Sequence, residues 1–134
     1  MRRAGRDTAS PGRRETGDSA ERAARGELER RGYRIVAANY RCRGGEIDLV
    51  AREGDAWVFV EVRSHSVDAF GPPRESIRAG KQRRLSRAAA AYLRANRLND
   101  VSWRFDVAEV RTAPDGRVQS VEVIENAFRP RGVF

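Results

Sequence analysis

The sequence predicts an α/β fold in one domain, with elements in the order α-β-β-β-α-β-β, and three observations lead there. The chain has 134 residues, enough for one hydrophobic core and too few for two. Residues 46–64 (EIDLVAREGDAWVFVEVRS) alternate apolar and polar side chains on either side of Arg52-Glu53-Gly54-Asp55, the period-2 pattern of a hairpin. Residues 18–31 and 74–97 space their apolar side chains three and four apart, which is the period of a helix.

Taken in order, residues 1–16 hold five arginines, two acids, Pro11 and two glycines, and are expected to form a disordered basic tail. The domain is expected over 17–128, with 129–134 as a C-terminal tail. In the first helix (18–31), Ala20, Ala23, Ala24 and Leu28 make the apolar stripe. Asp18 or Ser19 supplies the N-cap and Gly32 the stop. Residues 33–38 read as a short strand. In the hairpin, an even-numbered loop sets Ile47 opposite Val60 and Leu49 opposite Val58. These residues and Val62 form one apolar face; Glu46, Asp48, Phe59, Glu61 and Arg63 form the other. An odd loop would bury carboxylates among the valines, at a cost on the order of several kcal/mol. Residues 65–73 read as a loop. The helix over 74–97 carries Ile77, Leu85, Ala88, Ala89 and Tyr92 on its apolar side. Residues 103–111 and 118–124 read as strands around a turn at Pro114-Asp115-Gly116, and the chain from Glu125 as irregular.

Composition narrows the function. Charges sum to 27 − 19 = +8, with a sequence pI of about 11.0, and a domain this basic is expected to meet a polyanion, nucleic acid above all. Lys81 is the single lysine among the 27 cations. No apolar run approaches the ~20 residues of a membrane span, and the N-terminus lacks the apolar segment of a secretory signal, so no membrane partner is expected. One cysteine, Cys42, allows no intrachain disulfide and fits a reducing cytoplasm. With His65 as the only histidine, neither a structural zinc site nor Cys/His nucleophilic catalysis is at hand. Chemistry is left to carboxylates, guanidiniums and a hard, oxygen-binding metal.

The expected hairpin places Glu46, Asp48, Glu61 and Arg63 on one sheet face. Asp48 and Glu61 then lie one diagonal step apart, with Cα atoms roughly 7–8 Å from each other, and can reach one ion between them. Mg²⁺ is held this way, by one or two carboxylates plus waters and phosphate, and it polarises a phosphoryl oxygen and acidifies a bound water. Arg63 leans over the same place and suits a phosphate, but it cannot act as a general base. Helix 74–97 has eight cations and one acid, a local +7, and Arg83, Arg84, Arg87 and Arg94 form either a phosphate track or a solvated face. Acids alternating with apolar residues also mark any half-exposed antiparallel sheet. His65 reads as a loop bystander or an acid–base partner, and Trp57 and Phe59 as core residues or base-stacking platforms.

The strings Gly45-Glu46-Ile47-Asp48-Leu49-Val50 and Phe59-Val60-Glu61-Val62-Arg63 resemble the signature of the YraN-like (UPF0102) proteins, bacterial relatives of the archaeal Holliday-junction resolvases. The likeness extends to Gly17-Asp18-Ser19-Ala20-Glu21, Phe70-Gly71-Pro72-Pro73, Lys81-Gln82-Arg83-Arg84-Leu85 and Arg104-Phe105-Asp106-Val107, and covers about 17–110. It implies a restriction-endonuclease-like core: a central mixed sheet flanked by helices, with a PD-(D/E)xK site. Asp48 is then the first metal acid, Glu61 the second, with Glu46 beside them. Arg63 stands at the lysine position, and Glu21 resembles the extra helical acid of the resolvases. The implied function is a Mg²⁺- or Mn²⁺-dependent endonuclease hydrolysing phosphodiester bonds in branched or flapped DNA, working as a homodimer. The chain departs from the pattern twice: Arg63 replaces lysine, and no proline precedes Asp48. Lys81 is therefore a candidate to reach the site from the helix, and Gln82 to touch the site or DNA. Two other readings keep the same fold, a non-catalytic nucleic-acid-binding module and a protein adaptor whose acidic face is structural.

Overall fold

The computed structural model describes residues 11–66 and 77–131, with the backbone alone for 11–17. Its elements are α1 (Pro11–Arg30), β1 (Arg34–Cys42), β2 (Gly45–Glu53), β3 (Ala56–Ser66), α2 (Ala79–Ala95), β4 (Trp103–Thr112) and β5 (Val118–Phe128). That is the order the sequence predicts. The strands form one sheet in the order β1-β2-β3-β4-β5. Strands β3 and β4 run parallel and every other pair antiparallel. The sheet is mixed because α2 carries the chain back between β3 and β4, the crossover a parallel pair requires.

Each helix covers one face. Ala20, Ala24 and Leu28 of α1 pack on Leu49, Ala51, Val58, Val60, Ala108 and Val110. Leu85, Ala88, Ala89, Tyr92 and Leu93 of α2 pack on Ile47, Val50, Phe59 and Phe105. Strand β3 is thus covered on both sides, which explains its unbroken apolar run Val58-Phe59-Val60. Among the described residues, no helix is long and apolar enough to cross a membrane.

Several boundaries differ from the sequence reading. Helix α1 starts at Pro11, so 11–16 are helical rather than tail, and Asp18 lies inside the helix; proline is favoured in a helix's first turn, where its missing N–H is no loss. Residues 1–10 and most of the expected 65–73 loop lie outside the described residues, but His65 and Ser66 still belong to β3. Helix α2 begins at Ala79, because Arg78 is extended (φ −65°, ψ 152°) as its N-cap, leaving Ile77 before the helix. The helix ends at Asn96, and Arg97 follows with φ 55°. Strand β5 continues to Phe128, where residues after Glu125 were expected to be irregular. Phe128 stacks on Phe105 with ring centroids 4.5 Å apart, and the Asn126 N–H donates to Asp106 Oδ1 at 2.9 Å.

The hairpin loop is even, as the buried-carboxylate penalty demands, but it is centred one residue later than the expected pairing requires. Glu53 pairs with Ala56, so the turn is Gly54-Asp55, with Gly54 at φ 59° where only glycine is unstrained. The register moves by two: Leu49 faces Val60 and Ala51 faces Val58. Ile47 departs from the expected face and joins the α2 core, where Phe59 packs from the acid face as expected.

Helix α2 approaches β2 most closely at Gly45. A Cβ there would stand 2.4 Å from the Arg84 carbonyl oxygen and 3.2 Å from Ala88 Cβ. The first of these is backbone and cannot rotate away. Gly45→Ala is expected to destabilise the fold by about 1–3 kcal/mol, measured as a lowered urea midpoint with an unchanged slope.

Candidate active site

The hydrogen-bonded ladder between β2 and β3 ends at Leu49↔Val60. One step further, the same register sets Asp48 against Glu61, directly across rather than on the diagonal expected from sequence. There a side chain takes over from the backbone: the Val62 N–H donates to Asp48 Oδ2 at 2.8 Å. On the other side of β2, Asn39 sits between the pairs Ala38↔Leu49 and Tyr40↔Ile47 with φ 55°. Residues two apart now meet opposite cores: Ala38 and Leu49 face α1, Tyr40 and Ile47 face α2. The strands twist sharply at this point, and Asp48 lies at the twist.

Glu61 is 7% exposed, and its Oε2 lies 2.6 Å from Lys81 Nζ. Burial and the neighbouring Glu61 charge push the Asp48 carboxyl from 3.8 up to about 7, with Glu46 adding to the effect and the Val62 N–H opposing it. A buried and a half-buried carboxylate that repel each other are what a hard divalent cation relieves, and the donors are all oxygen. The pair therefore fits such an ion. Among the described residues no three Asp, Glu, His or Cys side chains are grouped to hold a metal, so two carboxylates would serve, with water and phosphate completing the shell. Glu46, proposed from sequence as a further ligand, is exposed and pairs with Arg41 Nε at 3.6 Å. Glu21 stands one partner away: Asn39 Nδ2 donates to its Oε2 at 3.3 Å. Burial raises its pKa, and Asp18 and Glu46 act in the same direction.

Asp48 and Glu61 open into a cleft of about 720 Å³, whose rim includes Arg41, Gly44, Lys81 and Arg84. A second hollow of about 440 Å³ is lined by Glu61, Arg63, Arg78, Lys81 and Arg84. The Glu61–Lys81 ion pair is common to both. Lys81 thus reaches the acids from α2, as the sequence suggested. Arg63, at the lysine position, instead pairs with Glu109, its Nη1 lying 3.4 Å from Oε2. Arg83, Arg84 and Arg87 are exposed along α2. Gln82 is not on that surface. Its Nε2 donates to the Ile77 carbonyl at 2.7 Å and its Oε1 accepts from Arg131 Nε, which ties down the C-terminal segment. Trp57 and Phe59 belong to the α2 core.

Sequence reasoning missed Glu109, 2% exposed and bonded to His65 Nε2 at 2.6 Å. The signal was present: Glu109 continues the alternation Phe105, Val107 on one side of β4 and so had to be buried. Asp106, fully buried, was missed for the same reason.

The family model of "Uncharacterised protein family UPF0102" matches residues 20–110, from α1 to near the end of β4. A UPF0102 protein of Moorella thermoacetica is 48% identical over 116 residues, 87% of this chain and 97% of its own length. One from Symbiobacterium thermophilum is 46% identical over 86% of this chain and 97% of its own length. One from Syntrophus aciditrophicus is 45% identical over 84% and 87% respectively.

The raised carboxyl gives a stability prediction with a definite sign. Between pH 3.8 and about 7 the folded chain holds a proton on Asp48 that the unfolded chain has released. Stability is therefore lost as pH rises through that window. Asp48→Asn, which keeps an acceptor for Val62 but no charge, is expected to be more stable than the parent by about 1–3 kcal/mol at pH 8 and nearly equal at pH 4. Urea unfolding at the two pH values checks it.

Proposed function

The chain belongs to the uncharacterised protein family UPF0102, and we propose that it is a divalent-metal-dependent endonuclease that hydrolyses phosphodiester bonds in DNA. One observation carries the reading. Where the ladder breaks, Asp48 and Glu61 are forced together, with Lys81 Nζ 2.6 Å from Glu61 and arginines on both sides. A bound Mg²⁺ or Mn²⁺ would polarise the phosphoryl oxygen and lower the pKa of a water. The protein's own part is to hold charge. Asp48 is pinned by the Val62 N–H, and Glu61 is fixed on a strand covered on both faces. Lys81 presents a compact ammonium on a flexible stem where negative charge builds on the phosphate. Arg84 and Arg87 extend positive charge along α2, and phosphate contacts of this kind position a duplex without reading its sequence.

The order of acids along β2 and β3 fits a restriction-endonuclease-like core. On the resemblance to the resolvases, branched or flapped DNA is the proposed substrate, a homodimer the proposed acting form, and the cytoplasm the proposed location. The alternative, a non-catalytic nucleic-acid-binding module, is favoured by one observation: no group of three metal ligands gathers among the described residues.

Labelled single-strand, duplex, flap and four-way-junction DNAs separate the two. Each is incubated with Mg²⁺, Mn²⁺ or EDTA. The endonuclease reading expects metal-dependent cutting that is abolished in Asp48→Ala and Glu61→Ala and lowered about 10²–10³-fold in Lys81→Met. Retarded DNA that is never cut, under either metal, assigns the binding module instead.

A further inference from the structure

Helix α2 is held from two flanks. On one it lies against β2, where Arg84 and Ala88 close on Gly45. On the other it carries two buried polar side chains, Gln82 at 9% exposure and Ser86 at 0%. At ~100° per residue, these two lie roughly 160° around the helix from Arg84 and Ala88. Both turn to one residue beyond β5. The Arg131 N–H donates to Ser86 Oγ at 2.8 Å, and Arg131 Nε donates to Gln82 Oε1. Gln82 Nε2 in turn donates to the Ile77 carbonyl at 2.7 Å, just before the helix. A buried amide and a buried hydroxyl are costly without partners, so the segment after β5 is seated on α2 and not merely near it. Its start is fixed as well, since Phe128 stacks on Phe105. This seat adjoins the site. Lys81 precedes Gln82 in the first turn of α2, with Nζ 2.6 Å from Glu61 Oε2.

We propose that Arg131 is a positioning residue: from the flank away from β2 it braces the first turn of α2, and so holds Lys81 on Glu61. Only what Lys81 does there rests on the endonuclease reading. The start of α2 needs such a brace. Its N-cap, Arg78, makes no side-chain capping bond, and no acid lies in the first turn. Local side chains therefore do nothing for its first N–H groups, and the turn depends on tertiary contacts. Arg131 supplies two, from its backbone and its side chain, to residues four apart on one side of the helix. Together they resist both sliding and rolling of that turn. Gly45 sets how near α2 comes to β2, and Arg131 keeps it from turning away. A lysine head group rides on a flexible stem, so it stays on a carboxylate only while its own backbone is placed. Glu61 is 7% exposed, and a buried carboxylate that loses its cation is left uncompensated. The family model ends at residue 110, so Arg131 lies outside the stretch it matches.

The test uses the one lysine of the chain. Its side chain is 47% exposed, so an amine-acetylating reagent such as N-hydroxysuccinimide acetate reaches it in the folded protein. The rate of acetylation at Lys81 is followed by peptide mass on the full chain, without metal and without DNA. It reads how often the ammonium leaves Glu61, because a paired ammonium must part from the carboxylate and lose its proton before it reacts. Glu61→Gln is expected to raise the rate about tenfold, as loss of a charged partner does. Arg131→Ala is expected to raise it about fivefold in the parent and less than about twofold once Glu61→Gln is present, because residues acting through one another are not additive. Gln82→Leu removes the acceptor for Arg131 from the helix side, follows the same pattern, and serves in the cycle if the Arg131 variant does not fold. Ala24→Gly weakens α1 on the opposite face of the sheet and is expected to leave the rate within about twofold of the parent. No rise in Arg131→Ala, an equal rise in both backgrounds, or an equal rise in Ala24→Gly would each overturn the proposal. If the acetylation rates run as expected while no DNA is cut under any metal, the brace stands and the endonuclease reading falls.

Discussion

The site depends on how close helix α2 lies to the start of strand β2, and that distance is set by residue 45 having no side chain. The space a Cβ would need is held by the Arg84 carbonyl, 2.4 Å away. With that contact, one helical turn earlier, Lys81 falls within 2.6 Å of Glu61, and Arg84 borders both hollows. A lift of the helix by even a side chain's width would leave the two acids facing each other with no cation over them. Gly45 is therefore a packing residue with a direct consequence for the electrostatics next to it.

Three buried or half-buried acids in this sheet show how surroundings decide what a carboxylate is for. Asp106 is fully buried, and its oxygens accept from Tyr33 Oη at 2.6 Å, Arg104 Nε at 2.9 Å and the Asn126 N–H at 2.9 Å. Arg104 also reaches Glu53 at 2.7 Å. This network joins the end of α1, the β2 hairpin, β4 and β5, and leaves Asp106 no capacity for chemistry; it is a structural tie. Asp48 has one backbone donor and a negative neighbour, so its proton is held up to about pH 7. Glu109 has one well-made hydrogen bond, from His65, and the Arg63 guanidinium 3.4 Å from its other oxygen.

Much of this was readable in the amino-acid sequence, and the parts that were not have physical causes. The period-2 alternation of Val58, Val60 and Val62 against Glu61 and Arg63 gave the strand and the acid side of it, because burying carboxylates costs too much for the other parity. The same penalty cannot tell where the turn is centred, since moving its centre by one residue keeps the parity and slides the register by two. That ambiguity alone moved Asp48 from the diagonal to directly opposite Glu61. The reversal of faces at Asn39 was hidden for a different reason: a left-handed asparagine leaves no trace in apolar periodicity. The partners of Gln82 were hidden because Arg131, which donates to it, is distant in sequence. Lys81 was placed correctly on slender grounds, as the one lysine on an otherwise apolar helical stripe.

The different partners of Arg63 and Lys81, Glu109 and Glu61, suit the properties of their head groups. Beside the acid pair, the useful cation is compact, able to move by a few tenths of an ångström as charge shifts and carried on a stem that can follow it. Lysine meets these needs and arginine does not. Against a buried carboxylate one strand away, the useful cation is planar and delocalised, as Arg63 is beside Glu109 with Nη1 at 3.4 Å from Oε2. Arginine meets these needs, and a lysine of the same reach would spend its single point charge on Glu109. Arg63 at the strand position therefore calls for two further features: a buried acid to hold it, which is Glu109, and a second cation from elsewhere in the fold. Among the described residues, α2 passes over Glu61 closely enough to supply that cation, and the one lysine in the chain lies on α2, in its first turn.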